Sequence, residues 1–417
     1  MNTGLILILL PSLIIFSYIF DIIAKKTKFP SVILLMMTGI LARAIAEGYG
    51  FKNTYFIDSL IPVIGTIGLI LIVMEGALEL EIKKEKIGII ISGFLSALVI
   101  LILNIFLLKS FFTLVLQISA DVAILYAIPL SIISSAVAIP SAVSFSNNNR
   151  EFIVYESTFS DILGIVIFNY CIQQTVSGKS IIDTTPIIHL GTQVLGIIFL
   201  SLLITYILAK LIQKIDHHVK FFLIIAILIL VYTIGKLFHF PSLLTIFIFG
   251  IFLGNGGELL PNFMKKSIDF EKTKNSLHDF HVLTSESTFL VRTFFFLFFG
   301  FSITIKSFVS MEPYIYSLVI LFIMFVARYS YFSVSKFSFK LTPLVYMSPR
   351  GLISILLFLQ LDTLNESNLK TDIIDERVLL LVILFSMILM LLGTMKKKTN
   401  DDITLEINRL NKEIDSD

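Results

Sequence analysis

Tryptophan is absent from these 417 residues, and cysteine occurs once, as Cys171. One cysteine excludes an intrachain disulfide and any cysteine-based metal centre. Charge is scarce: 15% of residues are Asp, Glu, Lys or Arg, where a soluble domain carries about 25%. The charges nearly cancel, at +2, so no nucleic acid or other polyanion is expected as a partner. No Walker-type phosphate loop occurs, which removes that route to ATP drive. No nucleophile–base triad is legible, so the expectation is a protein that is not an enzyme and carries no cofactor.

What the chain has in excess is apolar length. Hydrophobic residues make up 56% of it, and its mean hydropathy is +0.93. They come in runs of about 20, the length that crosses a bilayer's hydrocarbon core. The fold class expected is therefore an all-α polytopic membrane protein. With no tryptophan, the 13 Tyr and 39 Phe have to supply the aromatic belts. The first run follows Met1 without a basic stretch or a small-residue cleavage site, and reads as a retained helix rather than a signal peptide.

Thirteen spans are expected. Six precede the middle of the chain: Leu5–Ala24, Ser31–Glu47, Ile57–Leu78, Ile87–Leu108, Val122–Ser144 and Phe152–Thr175. Seven follow: Ile187–Leu211, Phe221–Leu237, Pro241–Gly254, Thr288–Ile305, Tyr314–Val334, Pro343–Leu361 and Val378–Met395. Basic residues concentrate in the odd-numbered loops, as in Lys25, Lys26 and Lys28 or Lys83, Lys84 and Lys86, and again in Lys396, Lys397 and Lys398. The positive-inside rule then puts the N-terminus outside and the C-terminus in the cytoplasm, in the cell (inner) membrane. Asn255 to Ser287 reads as the longest loop, with Asn255-Gly256-Gly257 as a turn, and 396–417 as a short cytoplasmic tail.

Ionisable residues inside spans are costly and so carry the information. The sixth span holds Glu156-Ser157-Thr158-Phe159-Ser160-Asp161. Asp161 falls about ten residues into the span, roughly 15 Å deep at 1.5 Å per residue and near the bilayer midplane. Ser157 precedes Asp161 by one turn and Ser160 follows Glu156 by one turn, so two acids and two hydroxyls line adjacent stripes. A carboxylate with hydroxyls beside it can hold either a metal cation such as Na⁺ or a proton, which is the minimum requirement for exchange. In the fifth span Pro129 and Pro140 bracket Ser134 and Ser135, the pattern of a broken helix or of an ordinary proline kink. Arg328 and Arg350 must pair or snorkel; Glu156 is the expected partner of Arg328. Glu75, one turn from a span end, reads equally as part of an ion path or as a surface-reaching acid.

At the sixth span the chain resembles the monovalent cation:proton antiporter superfamily, the Na⁺/H⁺ exchangers, whose motif is Glu-Ser-x-x-Asn-Asp. Further segments resemble the family in order: Gly68-Leu69-Ile70-Leu71 with Met74-Glu75-Gly76-Ala77, Phe294 to Gly300, Val326-Ala327-Arg328 and Pro349-Arg350-Gly351-Leu352. The resemblance implies a homodimer with inverted repeats and broken fifth and twelfth helices. A dimer scaffold would span about 5–78 and 221–305, and a mobile core about 87–175 and 314–395. It makes Asp161 the carrier, Ser157 its assistant, and Glu156 with Arg328 a structural ion pair. Two departures matter. Ser160 replaces the usual Asn or second Asp, leaving one acid and an electroneutral one-for-one expectation. Ser134-Ser135-Ala136 replaces Thr-Asp-Pro and looks like the Ser-Ser-Thr of the K⁺-efflux branch, so Na⁺ and K⁺ both stay open. A channel of the same fold, an organic-anion transporter and a non-transporting sensor are the rival readings.

Overall fold

The computed structural model describes residues 3–27, 30–49, 55–80, 82–142, 145–176, 181, 201–207, 220–237, 242–259, 270–303, 310–335, 341–363 and 373–394. These residues are helical almost throughout, without a strand among them. The helices are α1 (Thr3–Thr27), α2 (Ser31–Gly48), α3 (Tyr55–Glu79), α4 (Ile87–Leu114), α5 (Ala120–Ser131), α6 (Ser135–Ser141), α7 (Asn147–Val176) and α8 (201–207). Then come α9 (Lys220–Leu237), α10 (Ser242–Leu259), α11 (Phe270–Ser302), α12 (Glu312–Val334), α13 (Leu341–Tyr346), α14 (Leu352–Thr363) and α15 (Glu376–Thr394).

Seven of these helical segments are long and apolar enough to cross a membrane, and four shorter apolar ones accompany them. The arrangement of side chains is that of a membrane protein. On α12 the outward stripe is Ile315, Leu318, Phe322, Val326 and Tyr329, all exposed. Its inward stripe includes Ser317, Met324 and Arg328. Apolar groups face out and polar groups face in, because lipid cannot satisfy a polar group. The seventh expected span, Ile187–Leu211, lies outside the described residues apart from 201–207.

The helices pack as two groups. α2, α3, α10 and α11 form a panel, with α1 against α2 and α9 against α10. α4, α5, α6 and α7 form a bundle that α12 joins through α4. Within the panel, α2 and α11 approach closely. A Cβ on Gly39 would overlap the Leu297 carbonyl, and one on Gly300 would overlap the Met36 carbonyl. Only glycine at both positions lets the two backbones lie in contact.

Two departures from the sequence reading concern the chain's middle. The stretch read as a long loop, Asn255 to Ser287, is largely helical, since α11 begins at Phe270 rather than Thr288. Asn255 is not a loop turn but a kink within α10, at φ −123° and ψ 16°. Its amide explains the kink. Asn255 Nδ2 donates to the Leu80 carbonyl at 2.7 Å, and Oδ1 accepts the Ile82 N–H at 2.7 Å. One side chain thus satisfies backbone groups that the end of α3 leaves open.

Two crossing helices are broken. α5 and α6 are separated by Ile132, Ile133 and Ser134, with extended backbone at Ile132 and Ser134. β-Branched residues followed by serines favour leaving one helix and starting another. α13 and α14 are separated by Met347 to Gly351. Pro349 cannot donate a backbone hydrogen bond and pushes Ser348 out of the helical region. Pro349, Arg350 and Gly351 therefore sit in unwound chain between two half-helices.

Candidate ion-binding site

α7 crosses both breaks, packing on α5, α6 and α14, and carries Asp161 to the first of them. Asp161 Oδ2 accepts the Ser135 N–H at 3.1 Å and also the Ser135 hydroxyl. Ser135 opens α6, so the carboxylate meets a backbone donor that no carbonyl within the helix can reach. Asp161 Oδ1 is buried and has no hydrogen-bond partner among the described residues. The site thus offers a carboxylate with one oxygen held and one oxygen available, deep within apolar helices. A charge there requires a proton or a cation to neutralise it.

The serines divide their work differently from their spacing. Ser157 turns its hydroxyl back to the Ile153 carbonyl at 2.7 Å, as serines in membrane helices often do. Ser160 accepts the Ile133 N–H at 3.0 Å and so holds the break against α7. Ser134 donates its N–H to the Pro349 carbonyl at 2.9 Å, joining the two unwound segments. Gly351 completes that joint, for a Cβ there would stand 2.6 Å from Ser134 Oγ. Of the four serines, only Ser135 donates a hydrogen bond to the carboxylate. Ser135→Ala is therefore expected to lower the unfolding free energy by about 1.5–3 kcal/mol, the worth of a hydrogen bond to a charged group. Ser157→Ala is expected to change it by less than about 1 kcal/mol, since that hydroxyl is spent on its own helix. Thermal unfolding of the detergent-solubilised variants measures both.

Below the site lies the ion pair. Arg328 of α12 grips Glu156 of α7 with both ends of its fork, Nη1 to Oε1 at 2.9 Å and Nη2 to Oε2 at 2.7 Å. Both side chains are 1% exposed. Ser96 of α4 donates to Glu156 Oε1, and Arg328 Nε donates to the Leu344 carbonyl at 2.9 Å. The pair therefore ties α7, α12, α4 and α13 together.

Arg350 does not snorkel. It is buried at the second break, with Nε on the Leu130 carbonyl at 2.7 Å and Nη1 on the Ser348 carbonyl at 2.6 Å. Leu130 lies in the last turn of α5, so the cation sits where a helix end gathers negative partial charge. The two arginines thus serve the ends of α5 and α13, and Asp161 serves the start of α6. Together they compensate half-helices that would otherwise leave orphan backbone groups in the membrane.

Glu75 is half-buried on α3, in the panel. Its carboxylate has Arg292 of α11 as a charged neighbour and the Ser285 and Thr288 hydroxyls beside it. Arg292 was not singled out by the sequence reading, although an arginine within an expected span is a legible signal. Thr158 was also passed over. Its hydroxyl is buried without a partner among the described residues, and the side chain lies against Gly76 of α3. No group of three or more His, Cys, Asp or Glu suited to a resident metal occurs among the described residues.

This arrangement, a polytopic helical protein with two broken crossing helices and one buried acid at the crossing, is the architecture of a membrane transporter. Residues 12–397 match the family described as sodium/hydrogen exchanger, transmembrane. The chain belongs to that family, whose members are transporters that exchange cations for protons. No curated protein matches the sequence. Among solved structures it is similar to the sodium proton antiporter MjNhaP1 from Methanocaldococcus jannaschii at pH 8. The TM-score is 0.71 at 21% identity, covering 94% of this chain and 100% of that one. A second structure of MjNhaP1, an electron-microscopy map, aligns with a TM-score of 0.66 at 20% identity over 96% of each chain. At this identity the likeness concerns the fold.

Proposed function

We propose that this chain is a secondary-active monovalent cation/proton antiporter, in which Asp161 binds a proton or a cation but not both. The observation that carries the reading is the Asp161 carboxylate itself, with Oδ2 held by Ser135 and Oδ1 buried without a partner. A group that binds one positive species at a time and is carried between two faces exchanges them. With a single acid at the crossing, exchange is one-for-one and electroneutral. The panel serves as scaffold of a homodimer, and the bundle with the broken helices moves against it in alternating access. Glu156 and Arg328 are structural within that moving part, and Ser134, Ser135 and Ser160 shape the site. The chain lies in the inner membrane with its N-terminus outside, and needs no cofactor beyond the transported ions.

Na⁺ is the first choice of cation, supported by the family and by the named activity of MjNhaP1. K⁺ is the second, because serines stand where an additional acid would otherwise meet the ion. The test is collapse of an imposed pH gradient in proteoliposomes on adding Na⁺, Li⁺ or K⁺. Collapse by one of them, insensitive to membrane potential and lost in Asp161→Asn, supports the reading and names the cation. Flux uncoupled from the pH gradient would make the protein a channel, and no response to any of the three would sink the proposal.

A further inference from the structure

α11 brings a guanidinium into the layer between panel and bundle. Arg292 Nη1 donates to the Ala136 carbonyl at 3.1 Å. Its charge also faces Glu75 of α3, and its guanidinium lies 6.0 Å from the ring centre of Phe289 on its own helix. The acceptor is a product of the sequence. In a regular helix the Ala136 carbonyl would receive the N–H of residue 140, but residue 140 is proline and has none. Pro140 thus leaves an open carbonyl in α6, one residue beyond the Ser135 that holds Asp161. The donor that fills it comes from the other group of helices.

We propose that Arg292 is a latch between the two groups. It holds the conformation described here through the Ala136 carbonyl and falls back on Glu75 when α6 moves away. The proposal rests on the alternating-access reading above. α3 and α11 pack together within the panel, so Glu75 stays beside Arg292 while Ala136 travels with the bundle. The hydrogen bond to Ala136 exists in one access state only, and an interaction made in one state shifts the balance between the two. Arg292 is therefore a positioning residue: it touches neither Asp161 nor the ion, and sets the fraction of protein open to each face.

Apparent affinity falls with the fraction of binding-competent protein. Removing the latch must then lower the apparent KM for the cation on one face and raise it on the other. The experiment measures cation-dependent exchange in right-side-out and everted vesicles for wild type, Arg292→Gln, Arg292→Lys, Pro140→Ala and the Arg292→Gln/Pro140→Ala double variant. Arg292→Gln is expected to move the two KM values in opposite directions, each by about threefold or more. Arg292→Lys, which keeps a charge and a donor, is expected to recover part of the shift. Pro140→Ala restores a competing N–H and is expected to shift KM in the same sense, less than additively with Arg292→Gln. Should Arg292→Gln fail to fold, Arg292→Lys and Pro140→Ala carry the test. Unchanged KM values on both faces, a change in the same direction on both, a change on one face alone, a fall in turnover alone, or strict additivity would overturn the latch. Absence of Asp161-dependent exchange in the wild type would instead overturn the antiporter reading beneath it.

Discussion

Asp161→Asn is expected to reduce cation-driven proton movement to the level of protein-free liposomes, with the fold retained. The substitution is close to isosteric. An asparagine oxygen can still accept the Ser135 N–H and hydroxyl that hold Oδ2 in the native protein, so stability should change by no more than about 1 kcal/mol. What disappears is the ability to take up and release a proton, and the charge that draws a cation to this depth. The pairing of readouts is what gives the prediction force. Lost exchange with an unchanged unfolding midpoint places Asp161 in the transport reaction. Lost exchange with a large drop in stability would make it a structural residue, and retained exchange would remove it from the mechanism.

Glu156→Leu is expected to cost about 3–5 kcal/mol, the usual penalty for leaving a buried charge without its partner. Arg328 would then keep the Leu344 carbonyl but lose both carboxylate oxygens, with no solvent within reach. Arg328→Lys is expected to be damaging as well, because a point charge cannot reproduce a two-pronged grip. Joining Glu156→Leu to Arg328→Met should recover much of the loss, since an apolar pair of similar bulk escapes the cost of desolvation. Thermal unfolding of the detergent-solubilised variants decides it. If the double variant is no better than Glu156→Leu alone, the pair acts through something beyond mutual charge compensation.

Much of this protein was legible because a bilayer imposes long apolar runs and makes each interruption expensive. Span positions followed from that, as did attention to Asp161, Glu156 and Arg328. The partners within the site were harder to read. Spacing placed Ser157 and Ser160 on stripes beside the acids, yet nothing in a sequence says that one hydroxyl bends back to its own helix while the other holds the Ile133 amide. The decisive contact, Ser135 with Asp161, joins residues on different helices, so no periodicity reports it. Arg292 was passed over although it lies within the expected span Thr288–Ile305. Its partners, the Ala136 carbonyl and Glu75, lie on other helices, so no spacing within the span reports them. Arg350 illustrates the same limit: its depth was legible, but not that a helix end more than two hundred residues away in sequence, at Leu130, would be waiting for it.

The bond from the Ser134 amide to the Pro349 carbonyl has a consequence for how this protein can vary. It couples two stretches of sequence more than two hundred residues apart into a single knot, so neither can drift by itself. An insertion, a proline or a bulky side chain accepted on one strand of the knot would displace the other, and through Ser135 the grip on Asp161. Substitutions at Pro349, Gly351 and Ser134 should therefore be tolerated only in matched sets, like the two halves of a clasp recut together.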